Sequence, residues 1–244
     1  MCFVYFVVKK IKLSLRIGAI MISALITAAG SSTRYGKNKM LEPVQGKPLL
    51  IRTLERFLAC GEIEEIIVAA RGTDKETYEE LTRELDIVKV VMGGKQRIES
   101  LLNALNASSG NILITHDGAR PLVKPALIKE LISCVKKTGA AMTAVNPTAT
   151  VKITDNQSMM ITGTLPRIKT WIAQTPQAYN RKILKQAMEK AVKEKYFVPT
   201  DDSEIVAHMT SHNITVVPGD HSNIKVTHRS DIVIANELFE ECLR

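Results

Sequence analysis

Ile22-Ser23-Ala24-Leu25-Ile26-Thr27-Ala28-Ala29 is an apolar run of strand length that stops at Gly30. A run without polar alternation reads as a strand covered on both faces, as in a parallel sheet flanked by helices. The chain repeats the theme. After Lys47-Pro48, the residues Leu49, Leu50, Thr53, Leu54, Phe57 and Leu58 recur at helical spacing. Ile66–Ala70 reads as a second buried strand, Asp74–Leu85 as a charged amphipathic helix and Val88–Met92 as a third strand. Gly93-Gly94 leads into a helix with Ile98, Leu101, Leu102 and Leu105 on its apolar side. Asn111–Thr115 is a fourth strand, ended by His116-Asp117-Gly118, and Leu127, Ile128, Leu131, Ile132 and Val135 fit one face of a helix.

Ala140–Val145 is a further buried strand. Beyond Pro147 the chain turns polar and strand-like from about residue 148 to 170, with few large apolar residues of its own. This stretch is expected to project as an arm or to pack on a partner, which predicts a homodimer. Arg181–Lys193 and Ser203–Met209 read as helices, the second with Asp201 and Glu204 placed as a capping box. Ile214–Val217 and Asn223–Val226 read as short strands and Ser230–Leu243 as a closing helix. Strands alternating with helices of ten to fifteen residues predict an α/β fold, a doubly wound and mostly parallel sheet, as one domain over residues 21–244.

Composition narrows the class. The chain has 244 residues, of which 45% are hydrophobic, 24% charged and only 5% aromatic, a mix suited to layered helices and sheet. No apolar run approaches the roughly 18 residues of a membrane span. Cys2, Cys60, Cys134 and Cys242 lie far apart, without C-x-x-C or metal-ligand spacing, which predicts reduced thiols in a cytoplasmic protein. The formal charge is +8, but Lys9, Lys10, Lys12 and Arg16 stand in a first segment that holds no acid. The remaining mild surplus suits a polyanionic small substrate, and no dense basic block with interleaved aromatics points to nucleic acid. In residues 1–20 the apolar stretch precedes its positive charges, the reverse of a secretory signal. That segment reads as a disordered or strand-like extension, a membrane-surface anchor, or the product of an upstream start with Met21 as the working one.

In doubly wound sheets ligands bind at the carboxyl ends of the strands. After the first strand comes Ala28-Ala29-Gly30-Ser31-Ser32-Thr33-Arg34-Tyr35-Gly36-Lys37-Asn38-Lys39. Small residues let a backbone approach a ligand, successive N–H groups can cradle phosphates, and Arg34 and Lys39 add fixed positive charge. The stretch is neither G-x-G-x-x-G nor a Walker loop.

Ala-Ala-Gly-x-x-x-Arg-x-Gly, a nearby lysine and Lys47-Pro48-Leu49 resemble the signature loop of nucleotidyltransferases. Further segments resemble one family in order: Gly93-Gly94-Lys95-Gln96-Arg97-Ile98-Glu99-Ser100, Thr115-His116-Asp117-Gly118-Ala119-Arg120-Pro121, Trp171 to Gln177, Thr200-Asp201-Asp202, and Asp220 to Thr227. Together they are similar to the 2-C-methyl-D-erythritol 4-phosphate cytidylyltransferases over about Ile22 to Leu243. The resemblance implies a Rossmann-like sheet with a β-arm for dimerisation, CTP and a polyol phosphate as substrates, and Mg2+ carried mainly on the CTP phosphates. It implies that Arg34 and Lys39 stabilise charge on the triphosphate, and that Ala28, Ala29, Gly30, Gly94 and Ser100 line the cytidine and phosphate pocket. It implies that Asp117, Arg120, Thr150, Thr175 and Thr200 contact the acceptor. Arg167 and Lys225 would hold the acceptor phosphate, with Arg167 and Thr150 reaching across from the partner's arm. A sister activity on ribitol 5-phosphate, or another sugar-phosphate nucleotidyltransferase, is the alternative, and a non-catalytic binding protein a third.

The sequence departs from the family pattern at Ser32, where glycine is common, at Tyr35, where methionine is common, at Asn38-Lys39-Met40, and at Lys95, where an acidic residue is common. No Ser/His/Asp or Cys/His constellation stands out. Direct attack by a phosphate on a triphosphate needs none, because a phosphate monoester, with a second pKa of about 6, is already largely dianionic at neutral pH.

Overall fold

A computed structural model of the chain describes residues 20–196 and 201–241. Eleven strands are present among them, seven in one sheet: β1 (Ile22–Ala28), β4 (Glu65–Ala70), β5 (Val88–Met92), β6 (Ile112–Asp117), β7 (Ala140–Val145), β10 (Ile172–Asn180) and β11 (Thr215–Pro218). Their order is β11-β7-β10-β6-β1-β4-β5. β1 pairs in parallel with β4 and β6, β4 with β5, and β7 with β11; β10 alone runs antiparallel, between β6 and β7. The expected α/β, doubly wound and mostly parallel sheet is what the chain forms.

The helices are α1 (Leu49–Cys60), α2 (Lys75–Thr82), α3 (Arg97–Ala107), α4 (Pro125–Thr138), α5 (Arg181–Lys193), α6 (Asp202–Met209) and α7 (Arg229–Glu241). Alternation along β1 explains how they cover both faces. Ile22, Ala24, Ile26 and Ala28 join Leu54 and Phe57 of α1, Ile128 and Leu131 of α4 and Phe239 of α7 in one apolar layer. Leu25, between them, joins Leu101 of α3, Leu184 of α5 and Val206 of α6 in the other. α1 ends at Gly61, whose φ of 73° is the left-handed conformation that glycine adopts without a Cβ penalty.

Several elements differ from the sequence expectation, each for a local reason. β6 continues through His116 and Asp117, both buried, instead of ending at Thr115. The expected strand at Asn223–Val226 is absent: Val226 N–H donates to the Ala119 carbonyl (2.8 Å), so the segment crosses the strand ends and joins no ladder. β10 was not apparent in the sequence, because Gln174, Thr175, Pro176 and Gln177 look like loop chemistry. The Gln174, Thr175 and Gln177 side chains are buried and satisfied mainly from other segments: Gln174 Nε2 donates to the Asp220 carbonyl (2.9 Å), Gln177 Nε2 to Asp201 Oδ2 (3.2 Å), and Tyr179 Oη to Gln177 Oε1 (2.7 Å). Pro176, which cannot donate to a ladder, sits where the β10–β7 register shifts. Asp201 caps α6 as expected, accepting from the Glu204 N–H (2.8 Å).

The 148–170 stretch contains a hairpin, β8 (Lys152–Thr154) with β9 (Ile161–Thr164), that pairs only with itself. Two further short strands, β2 (Pro43–Val44) and β3 (Lys47–Pro48), form their own ladder before α1.

The polar interior of β10 has a measurable weight. Gln177→Met keeps the volume but strands the Tyr179 hydroxyl and the Asp201 oxygen, and should lower stability by about 1–3 kcal/mol. Urea denaturation should show a lower midpoint at an unchanged slope.

Candidate active site

The carboxyl ends of β1, β4, β5 and β6 open onto a cleft of about 980 Å3. Its floor is made of close backbone contacts. A Cβ on Gly93 would lie 2.5 Å from the Ala29 Cβ and 3.1 Å from the Ala70 carbonyl oxygen, so only glycine lets these strand ends approach. Gly94 N–H donates to Ser100 Oγ (3.0 Å), which ties the turn after β5 to the first helical turns of α3.

One wall is the turn after β1. The Ser32 carbonyl accepts from the N–H groups of Tyr35 (2.9 Å) and Gly36 (3.0 Å). Asn38 Oδ1 accepts from the Met40 N–H (3.0 Å), and its side chain also bonds the Tyr78 hydroxyl of α2. The Arg34 side chain is exposed and lines the cleft. Lys39 is half-buried and lines it too, its ammonium donating to the Val226 carbonyl (2.8 Å). Burial, and then the charge of Lys225, lower Lys39 from its ordinary pKa of 10.5.

Asp117, at the end of β6, is the hub of the opposite wall. Its carboxylate binds Arg97 (2.6 Å), Lys225 (2.9 Å) and Arg120 (3.3 Å). Burial alone would raise this carboxyl, but the three cations overcome it and hold Asp117 well below the usual carboxylate range. Arg97 also grips the buried Asp202 through two hydrogen bonds of 3.1 Å. Behind Asp117, the Thr175 hydroxyl accepts from the Asp117 N–H (3.1 Å) and lies 3.0 Å from His116 Nδ1. The Arg120 carbonyl can only accept, so His116 Nε2 carries the proton at 3.1 Å and Nδ1 accepts from Thr175. Full burial pushes His116 down to about 3, which keeps the ring neutral and excludes it as a base at neutral pH.

Such a cleft, with fixed cations at the carboxyl ends of a doubly wound sheet, is built to hold polyanions. The sequence profile described as IspD, 2-C-methyl-D-erythritol 4-phosphate cytidylyltransferase, matches residues 22–241. The chain belongs to this family.

Relatives named 2-C-methyl-D-erythritol 4-phosphate cytidylyltransferase agree. That of Dictyoglomus thermophilum is 34% identical over 218 residues, 87% of this chain and 94% of the relative. That of Caldanaerobacter subterraneus subsp. tengcongensis is 36% identical over 226 residues, 89% and 98% respectively. A crystal structure of 4-diphosphocytidyl-2C-methyl-D-erythritol synthase from Anaerococcus prevotii superposes with a TM-score of 0.82 at 33% identity, covering 91% of this chain and 99% of that one. As a member of the cytidylyltransferase family, the chain is a nucleotidyltransferase.

Of the residues singled out in the sequence, Arg34, Lys39, Lys225, Ala29, Gly30, Gly94, Ser100 and Asp117 line the one cleft. Ala28 is buried in the core beneath it. Arg120 and Thr175 do not line the cleft but bind Asp117 from behind. Thr150 and Arg167 are exposed on the 148–170 stretch, away from the cleft lining of this chain. Thr200, like residues 1–19, lies outside the described residues.

Sequence reasoning gave Arg97 no role. A signal was present: a cation in the first turn of a helix opposes the helix dipole and must be committed to specific carboxylates. Among the described residues, no cluster of three or more His, Cys, Asp or Glu side chains could hold a metal.

The depressed His116 sets a pH dependence. The unfolded chain takes up this proton near 6.5 and the folded one only near 3, so stability is lost as pH falls through that window. The slope is about 1.4 kcal/mol per pH unit below the unfolded value. Urea midpoints should therefore decline from neutral pH toward pH 5 in the parent protein, and less steeply in His116→Gln.

Proposed function

We propose that this cleft joins CTP and 2-C-methyl-D-erythritol 4-phosphate to give 4-diphosphocytidyl-2-C-methyl-D-erythritol and pyrophosphate, a step of non-mevalonate isoprenoid biosynthesis. The observation that carries the reading is that Arg34 and Lys39 of the turn after β1 and Lys225, far from them in sequence, face one cavity in a chain of this family.

The chemistry is repulsion management. A phosphate oxygen of the acceptor attacks the α-phosphorus of CTP in line. The new P–O bond forms as the bond from Pα to the oxygen bridging to Pβ breaks, and pyrophosphate leaves with that electron pair. No proton must be removed from the acceptor dianion. Two polyanions must be brought together, and preorganised cations do this without reorganising at the moment of reaction.

In this reading Ala29, Gly30, Gly94 and Ser100 form the nucleotide wall, and Arg34 and Lys39 take the triphosphate. Lys225 exchanges its Asp117 contact for the acceptor phosphate, and Asp117 meets the acceptor's hydroxyl groups. Arg97, Arg120 and Thr175 keep Asp117 ionised and in place. A magnesium ion supplies additional charge neutralisation and would ride on the triphosphate oxygens. Asp117, already bound to three cations, is a poor ligand for it. Cys60 and Cys134 carry free thiols, which supports a reducing, cytoplasmic setting.

The 148–170 stretch is read as an arm covered by a second copy of the chain. Ile153, Met159, Met160, Ile161, Leu165 and Ile168 are exposed on it, and Ile168 is 86% exposed. Six exposed large apolar side chains within one stretch suit a surface that a partner covers. Thr150 and Arg167 would then complete the partner's cleft.

With CTP and magnesium, the protein should release pyrophosphate when offered methylerythritol phosphate. Turnover with ribitol 5-phosphate alone would move the acceptor assignment, and release with neither would refute the reading. Lys225→Ala should lower kcat/KM at least about tenfold, the worth of one charge-assisted contact. Light scattering should report a dimer, and a monomer at assay concentration would remove Arg167 and Thr150 from the site.

A further inference from the structure

The turn that presents Arg34 is fastened from beneath by its next residue. Around Tyr35, positions 31, 33, 34, 36 and 37 are exposed, yet Tyr35 itself is only 4% exposed and belongs to the apolar layer containing Met40 and Val44. Its hydroxyl donates to Glu42 Oε2 (2.9 Å), and Glu42 Oε1 pairs with Lys37 (2.7 Å). Its carbonyl accepts from Arg229 Nε of α7 (3.4 Å). Tyr35, near the end of the turn, is thereby joined to Glu42 across the Lys37–Leu41 segment.

We propose that Tyr35 and Glu42 form a latch that pre-sets the phosphate-binding turn, so that Tyr35 is a positioning residue for the triphosphate. The inference rests on the assignment of Arg34 and Lys39 to CTP.

The physical argument is one of ordering. The turn between Gly30 and Gly36 is built from small and polar residues, and Ser32 sits at a left-handed φ of 54°. Such a segment buries little apolar surface with which to offset its conformational entropy. If the turn were mobile in the free protein, CTP would have to order it on binding and would bind more weakly. One buried aromatic ring, tied to a carboxylate that a neighbouring lysine keeps ionised, removes that cost beforehand. Burial, and then the bond to Glu42, push the Tyr35 hydroxyl up to about 12, so it remains a donor throughout the useful pH range.

Three variants test the latch. Tyr35→Phe keeps the ring and removes the bond. Glu42→Ala removes the acceptor, while Glu42→Gln restores an acceptor oxygen. The readouts are steady-state kinetics in CTP and the rate of tryptic cleavage after Arg34 and Lys37 in the nucleotide-free protein, followed by mass spectrometry. Tyr35→Phe and Glu42→Ala should raise KM for CTP about tenfold, as expected for loss of a hydrogen bond to a charged group, with kcat changed less than about twofold. Both should be cut faster at the turn, CTP with magnesium should restore protection, and Glu42→Gln should fall close to the parent protein.

Unchanged KM and unchanged cleavage in Tyr35→Phe would overturn the proposal, as would a fall in kcat at constant KM. Cleavage in the absence of nucleotide reads the latch by itself. Failure of the parent protein to turn over CTP would therefore refute the functional assignment and leave the protection measurement standing.

Discussion

A single enclosed carboxylate, that of Asp117, decides what the carboxyl end of this sheet can be. Arg97, Arg120 and Lys225 all reach it within 3.3 Å. Without it, Arg120 and Lys225 would lose their ion-pair partner and Arg97 would keep only Asp202. With it, the cleft is assembled before any ligand arrives. The cost of burying the carboxylate is offset because every neighbour that faces it is a donor, the condition under which buried charge is tolerated. Removing one partner leaves the others mutually uncompensated, so the hub behaves as a unit and not as a set of separable pairs.

The same hub explains a division of labour among the positive groups. Arg97 is bound to two carboxylates, Asp117 and Asp202, and Arg120 to Asp117 and the Asn223 carbonyl, so both are committed to the framework. Arg34 has no ion pair among the described residues, and Lys39 holds only the Val226 carbonyl. Lys225 stands between these groups, 40% exposed and bound to the hub by one contact. A gradient from fixed to available charge thus runs across the cleft, with the available end beside the turn after β1.

Much of this was legible in the sequence, and the illegible parts share a cause. Largely apolar segments such as Ile22–Ala28 and Ala140–Val145 announce themselves, since most strands covered on both faces are made of such residues. β10 does not, because Gln174, Thr175 and Gln177 are buried through hydrogen bonds to distant segments, and a pattern of hydrophobicity carries no trace of those partners. Asn223–Val226 misled in the opposite direction: Ile224 and Val226 look like strand, but their burial comes from crossing the strand ends. At the site, Arg34 and Lys39 were visible from the small, basic turn after β1, and the other residues only through the resemblance to a family. Arg97 was hidden because its role depends on Asp117 and Asp202, which come close only in the folded chain. Thr150 and Arg167 do not line the cleft of this chain.

The hairpin of β8 and β9 has one more implication. The chain leaves the sheet at Val145 and re-enters it at Ile172, and the two limbs are clasped by Asn146 Nδ2 donating to the Thr170 carbonyl (3.1 Å). The returning limb is β10, which carries Thr175 beneath Asp117. A displacement of the hairpin is therefore felt, through residues 165–171, by the strand that supports Asp117. Strain on the exposed hairpin is thus passed along one strand to buried polar side chains.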